Sequence, residues 1–547
     1  MNSNAVILDG YVDEPSCLGV PPYISPYVRY VAGVLREHGY RVGYFTIDEL
    51  RADPAHLQEL KSAEIVVIIA GMTVPGKYLG GTPATRTEIR QIATTLTQPV
   101  TLLGGPIGFG WSPGGGRPAV REPDPGIDAF LEGEMAAALD SFLNGGEAKG
   151  NLSYPEIDRW SAMGAEIIRR HPSFPHVMCE METARGCARS VAGGCSFCTE
   201  PFYGKPRYRD PEGVWEEVAA LSRYGARHFR LGRQPDLLAY RSGGGEFPVP
   251  RPGAIEELFA GIRAAAPDLA TLHIDNINPG SIARHTDAAR EALGAIVRHH
   301  TPGDVAAFGM ETADPAVIAA NNLKASPEEV FRAIEVVNEV GGRREEGIPH
   351  LLPGLNFVAG LAGETPDTYR MNTAFLQRVL EAGLLIRRVN IRQLMPFEGT
   401  RAAGNNTLGM HDREFRHFKE RVRREFDLPM LKRVYPAGTV LRSVIIEEEG
   451  SLSLGRQMGS YPILAGIPLR LERGAVIDAA VVDWGMRSVT ALPVPVAINT
   501  LPVSALRWIP GIGKKRAGAI AARRPIRDER ELRKIAGETP LDGLFVF

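Results

Sequence analysis

Three cysteines, Cys187, Cys195 and Cys198, stand in the run ARGCARSVAGGCSFC at a C-x7-C-x2-C spacing. The chain holds only five cysteines, and four of them, Cys179 included, fall between positions 179 and 198. So few thiols, odd in number, do not build a disulfide scaffold in a chain this long. Two thiolates in a C-x2-C pair can reach one metal centre, and Gly193-Gly194 frees the loop to fold around it. The count of three carries the chemistry. A structural zinc takes four protein ligands and an electron-transfer cluster usually takes four cysteines. Three on one loop leave one iron of a [4Fe–4S] cluster open to a further ligand. Two alternatives stay open: a distant histidine could complete a zinc site, or Cys179 could supply a fourth thiolate, although its strand-like surroundings suit a cysteine packed as a small apolar residue. Cys17 is expected to be inert.

Such a loop needs a frame to present it. The 547 residues exceed one hydrophobic core and predict three to five domains. With 44% hydrophobic and 23% charged residues the composition is that of a globular chain, and a net charge of -2 argues against nucleic acid along the whole length. The first residues, MNSNAVILDGYVDEP, lack the basic and apolar stretches of a signal peptide, and no apolar run approaches the ~18 residues a membrane helix requires. A cytoplasmic protein without a membrane partner is expected. Residues 1–150 alternate strand runs (6–10, 41–47, 64–71, 100–105) with amphipathic stretches (27–39, 85–96), as an open parallel α/β sheet would. Residues 151–174 read as a linker. Between 175 and 430, strand runs at 177–183, 228–233, 271–277, 305–311, 355–361 and 388–394 predict six βα units in a partial barrel, with chemistry at the carboxyl ends of the strands. Residues 431–500 read as a small β domain. Residues 501–547 are helical and carry ten Lys+Arg against five Asp+Glu.

The cysteine triplet at the end of the first strand of a partial barrel, with Phe197 just before the last cysteine, resembles the radical S-adenosylmethionine (SAM) superfamily, four residues longer than the usual C-x3-C-x2-C. GMET (309–312) resembles the fourth-strand segment of those barrels, which makes Glu311 a SAM contact. LNFVAGLAGET (355–365) and VNIRQLMPFEGT (389–400) resemble the fifth- and sixth-strand segments. The Gly-Gly-Glu segment expected after the second strand is replaced by RLGRQPD (230–236), which assigns Arg233 and Gln234 to SAM; GGGE at 243–246 reads as a flexible loop. The N-terminal domain resembles the Rossmann-like cobalamin-binding domain of many such methyltransferases through LLGGP (102–106) and FLEGEMAAAL (130–139). The resemblance gives Met72, Thr73, Gly104, Gly105, Pro106, Glu132 and Gly133 as cobalamin contacts. No D-x-H-x-x-G motif is present, so cobalt would lack that histidine ligand. A sheet domain with a different nucleotide or no ligand is the plain alternative. IPGIGKKRAGAI (509–520) resembles a helix-hairpin-helix, whose turn would offer backbone N–H groups to a phosphate or serve as a protein-docking cap.

This domain order resembles a mainly archaeal group of cobalamin-dependent radical SAM methyltransferases. The resemblance implies a [4Fe–4S] cluster, SAM and cobalamin, with a reductant supplying low-potential electrons. A 5′-deoxyadenosyl radical would abstract hydrogen from an unactivated sp³ carbon, and methylcobalamin would supply the methyl group. The substrate it implies is a protein, a glutamine of the methyl-coenzyme M reductase α subunit. The alternatives are a radical SAM enzyme modifying tRNA or other RNA, with nucleic acid held through residues 501–547, and a non-enzymatic iron–sulfur docking protein.

Overall fold

β-branched runs build the first sheet. In this computed structural model, which describes residues 4–72, 80–122 and 124–547, strands β1 (Asn4–Asp9), β2 (Arg41–Thr46), β3 (Ile65–Ile69), β4 (Val100–Gly104), β5 (Ala129–Gly133) and β6 (Lys149–Gly150) pair in parallel in the order β2-β1-β3-β4-β5-β6. All five residues of β3 are buried, as a central parallel strand requires. The order reverses between β1 and β3, and open α/β sheets bind ligands at the carboxyl edge of such a switch point.

Residues 151–174 differ from the expected linker. They form helix α2 (Tyr154–Gly164) and a 3₁₀ turn (Ala165–Arg170), packed against α1 (Pro26–Glu37). The contact is made by backbone approach: a Cβ on Gly33 would stand 2.0 Å from the Trp160 carbonyl oxygen. Trp160, Ile157, Ile167 and Ile168 are buried there, and the Trp160 indole donates to Glu37 at 2.6 Å.

The central barrel consists of β7 (Met178–Glu182), β8 (His228–Arg233), β9 (Thr271–Ile274), β10 (Asp304–Glu311), β11 (Leu351–Ala359) and β12 (Arg388–Gln393). Two parallel three-stranded runs, β7-β8-β9 and β10-β11-β12, are joined by hydrogen bonds from Ile277 to Ala307 (3.1 Å) and from Ala307 to Asp275 (2.8 Å). The two-residue strand Tyr23–Ile24, from the N-terminal segment, pairs with the outer edge of β7.

Beyond the barrel, β13 (Val440–Glu448), β14 (Ser453–Arg456), β15 (Leu464–Ile467), β16 (Val476–Trp484) and β17 (Ser488–Pro493) close in the order β13-β14-β15-β17-β16. The C-terminal helices Lys514–Ala522 and Glu529–Ala536 share a core with this small barrel, in which Ile509, Ile512, Ile520 and Leu532 meet Ala480, Val482 and Leu492. The last two segments of the chain are therefore one packed unit. Among the described residues no helix is long and apolar enough to cross a membrane.

Candidate cluster and SAM site

The cysteine loop leaves the carboxyl end of β7 and is closed at its base, where Ala184–Arg185 pairs antiparallel with Arg207–Tyr208. Gly193 and Gly194 take φ of 79° and 63°, and a Cβ on Gly194 would meet Pro201 Cγ at 2.5 Å. The reversal brings Cys187, Cys195 and Cys198 to line one cleft with Arg189, Asp236 and Lys324.

The loop is clamped from outside. The Asn322 amide donates to the carbonyls of Ala192 (2.9 Å) and Gly194 (2.8 Å), and Arg401 donates to Gly194 (2.7 Å). Ser196 donates through its hydroxyl to Asn321 Oδ1 at 2.7 Å. Arg189 reaches the Asn322 carbonyl (2.8 Å) and Cys195 Sγ (3.2 Å), and is itself paired with Glu246 at 2.7 Å. GGGE is thus no mere flexible loop: its glutamate holds the arginine that touches a cluster thiol.

The donor set fits an iron–sulfur cluster. Burial pushes the Cys187 thiol up to about 11 and raises Cys195 and Cys198 as well, while Arg189 and Lys324 pull Cys195 the other way. Three half-buried thiols with raised pKa, facing one cleft, ionise readily only when a metal takes the charge. Among the described residues no three His, Cys, Asp or Glu side chains converge on a single metal ion. Cys179 is fully buried in β7 and does not line the cleft, nor does the buried Cys17.

Glu311 ends β10 at φ 64°, buried, its carboxyl pushed up to about 7 by burial against the pull of Lys324 and Arg392. A Cβ on Gly309 would stand 2.3 Å from Glu311 Oε1 and 2.5 Å from Lys324 Nζ, so acid and amine lie side by side over that glycine. Lys324 is held protonated by Glu311 and the three thiols despite burial. Phe197 packs half-buried among Val317, Leu323, Leu361 and Leu394. Glu364, from the fifth-strand signature, accepts from the backbone N–H groups of Gly360 (2.8 Å) and Leu361 (3.1 Å), and so ties the turn after β11.

Arg233 and Gln234 do not line the thiol cleft. Arg233 is fully buried between Glu14 (3.0 Å) and Glu200 (3.2 Å), with its guanidinium over the Tyr203 ring. Gln234 donates to the carbonyls of Leu231 (3.2 Å) and Asn276 (3.3 Å). The cleft instead receives Asp236, pushed up to about 6 by burial, and Asn278. These two, with Lys324 and Arg189, are the residues sequence reading missed. RLGRQPD did mark the segment, but the turn after β8 faces Asp236 inward two positions beyond Gln234.

The carboxyl rim of the N-terminal sheet lies against the carboxyl mouth of the barrel. Met72 packs with Ala119 and Phe397 and accepts from the Thr199 hydroxyl at 3.9 Å. Ala119 donates to the Pro396 carbonyl at 2.8 Å, and Phe109 meets Tyr203 edge-on at 5.1 Å. Gly104, Gly105 and Pro106 follow β4 on this rim, Gly105 at φ 102° with Pro106 opening a 3₁₀ turn. Two of the rim glycines have internal reasons: a Cβ on Gly104 would strike Met135 (2.9 Å), and one on Gly133 the Gly150 carbonyl (2.3 Å). Glu132 is exposed and faces Lys149 at 3.9 Å. Thr73 lies outside the described residues.

A partial βα barrel with three thiols at the end of its first strand defines the class, and the Radical SAM superfamily model matches residues 181–391. That domain implies a [4Fe–4S] cluster and SAM. An uncharacterized protein of Archaeoglobus fulgidus is 44% identical over 544 residues, covering 98% of each chain. The protein MJ0274 of Methanocaldococcus jannaschii is 43% identical and covers 90% of this chain and 93% of its own. The chain belongs to the family of these two archaeal proteins, built around a radical SAM domain. The fold is also similar to that of TsrM from Kitasatospora setae, a radical SAM methyltransferase solved with tryptophan and a SAM analogue (TM-score 0.51, 16% identity, covering 73% of this chain and 75% of that one). A second structure of TsrM, with cobalamin and a [4Fe–4S] cluster, gives a TM-score of 0.50 at 15% identity, over 74% of each chain.

Proposed function

We propose that this protein is a cobalamin-dependent radical SAM C-methyltransferase acting on an unactivated sp³ carbon of a protein residue, with a glutamine of the methyl-coenzyme M reductase α subunit as the first substrate to test. The observation that carries this reading is the apposition of two carboxyl edges: the thiol cleft opens at the barrel mouth, and the rim of a parallel α/β sheet lies over it through Met72, Ala119 and Phe109. The shared fold with TsrM, which carries both cobalamin and a cluster, supports it.

Cys187, Cys195 and Cys198 would hold the cluster, and Glu311, Asp236, Asn278 and Phe197 stand where SAM would be met. Met72, Gly104, Gly105 and Pro106 form the rim against which cobalamin would rest. They offer backbone, apolar surface and a thioether, with no imidazole among them. The bound cofactors would supply a carbon-centred radical and a transferable methyl group, chemistry that no acid or base here could perform on a carbon without an acidic proton. The chain's own contribution is position and charge. Arg189 and Lys324 place positive charge beside the cysteine sulfurs, the Asn322 clamp fixes the loop, and the Phe109–Tyr203 contact joins the sheet rim to the barrel mouth. An external reductant of low potential would deliver the electron.

Anaerobic purification with cobalamin supplied tests the reading. About four iron and one tightly held cobalamin per chain are expected, followed by a mass gain of one methyl on a reductase peptide containing the glutamine. Iron without cobalamin would overturn the methyltransferase reading. A second reading, an RNA substrate, rests on Lys514, Lys515 and Arg516, all exposed at the start of a helix that follows Gly511 at φ 83°. Binding of tRNA that weakens steeply between low and moderate salt would favour it.

A further inference from the structure

We propose that Arg388, flanked by Asn390 and Asn356, is a carboxylate-binding subsite inside the barrel, and that the substrate enters with an acidic group seated on it. This rests on the proposed function, with the substrate reaching into the barrel from the mouth at which the thiol cleft opens; the acid is a group of the substrate other than the residue that is methylated.

Strand β12 alternates. Val389 and Ile391 are buried in the surrounding apolar layer, while the positions between them, Arg388, Asn390 and Arg392, carry polar side chains. Asn390 donates to Asn356 Oδ1 on β11 at 3.3 Å, and Arg392 acts electrostatically on Glu311. A polar strip therefore runs from the edge of the SAM site to Arg388.

Arg388, itself half-buried, differs from the buried arginines of this region. Arg230 pairs with Asp275 and Glu180, Arg233 with Glu14 and Glu200, and Arg185 with Glu134 and Glu182. Among the described residues no carboxylate lies within ion-pair distance of the Arg388 guanidinium, and no protein acceptor takes a hydrogen bond from it. The nearby Asp275 is already committed to Arg230 and to the Tyr461 hydroxyl at 2.6 Å. Burial, with Arg392 and Arg487 close by, pulls Arg388 down to about 10, so it stays charged at neutral pH in surroundings that favour an anion.

The guanidinium is held in a defined plane. It stacks on the Tyr461 ring at 3.8 Å, and Gly354, its register partner on β11, leaves room for its stem: a Cβ there would stand 3.2 Å from Arg388 Cγ. Tyr461 comes from the loop between β14 and β15, at φ 54°. Its neighbour Ser460 is anchored through its N–H to His273 Nδ1 (2.8 Å) and through its hydroxyl to the Ile274 carbonyl (2.8 Å). A stacked guanidinium keeps its in-plane N–H fork free, which is the geometry that takes a carboxylate in two parallel hydrogen bonds.

The test uses the cluster-loaded protein with three probes followed by ligand-observed NMR: N-acetylglutamate methylamide, its neutral isostere N-acetylglutamine methylamide, and glutarate. The wild type is expected to hold a charged probe about 10-fold more tightly than the neutral one. Arg388→Gln should abolish that preference and Arg388→Lys retain part of it, with circular dichroism confirming that both variants are folded. Preference for the capped glutamate supports the subsite with a polypeptide as the source of the acid; preference for glutarate alone supports it with a free dicarboxylic acid. A wild type that does not discriminate charge, or an Arg388→Gln variant that still does, would overturn the proposal. Cleavage of SAM without substrate, measured on the same samples, separates this from the functional reading. Its absence in the wild type counts against radical SAM chemistry and leaves the charge preference to stand or fall by itself.

Discussion

Cys187, Cys195 and Cys198 face a common cleft because backbone and neighbouring side chains, rather than the thiols, hold their loop. Replacing Cys195 by alanine is expected to cut iron from about four per chain to well under one while leaving secondary structure intact; iron assay and circular dichroism check both. Asn322→Ala removes three hydrogen bonds with the loop and should give partial, labile iron loading. Arg233 is committed to two buried carboxylates and does not line the thiol cleft. Arg233→Met leaves Glu14 and Glu200 buried without their cation and should cost about 3–5 kcal/mol in urea unfolding. Glu180 is a further case: burial pushes its carboxyl up to about 8 even beside Arg230, and neither oxygen has a hydrogen-bond partner. A carboxyl raised in the folded state contributes stability below its unfolded pKa, and that contribution fades as pH climbs through about 8. The stability difference between wild type and Glu180→Gln should therefore shift in favour of the variant between pH 6 and pH 9, measured as urea midpoints. At this scale the meeting of the three thiols at one cleft was legible, because their type and spacing are the chemistry. Lys324 and Asn322 were not. Each lies on the turn after the helix that follows β10, and only closure of the barrel brings it to a loop more than a hundred residues earlier.

The elements were more legible than the residues. Each barrel strand carries apolar residues at alternate positions, such as Phe229 and Leu231 or Val389 and Ile391, and each strand read from the sequence overlaps one in the structure. The stretch 151–174 defeated the same reading. Gly, Asn and Lys at 144–150 mark a turn, and the burial of α2 behind it depends on how closely α1 lets a backbone approach at Gly33. Gly33→Val should force α1 and α2 apart and lower stability by about 1–3 kcal/mol, seen as an earlier thermal transition. The strand Tyr23–Ile24 was invisible because two residues carry no period.

At the scale of the whole molecule, the N-terminal sheet and the small barrel meet the central barrel in different places. The first contributes Met72 and Ala119 to the mouth, and the second sends Ser460 and Tyr461 against β9 and Arg388. The order of domains could be read from sequence; these contacts could not, since they depend on which loop faces which strand end.

The clamp on the cysteine loop also bears on how the protein matures. Asn322 and Gly194 are 128 positions apart in the chain, so the loop takes its final shape only once the first and fourth βα units have come together. In a zinc finger the metal draws an unfolded chain into shape. Here hydrogen bonds from Asn322 and Arg401 hold the loop from outside, so the chain's own contacts and not the metal set its shape. A chelator should empty such a protein without melting it, and the emptied chain should refill without passing through the unfolded state.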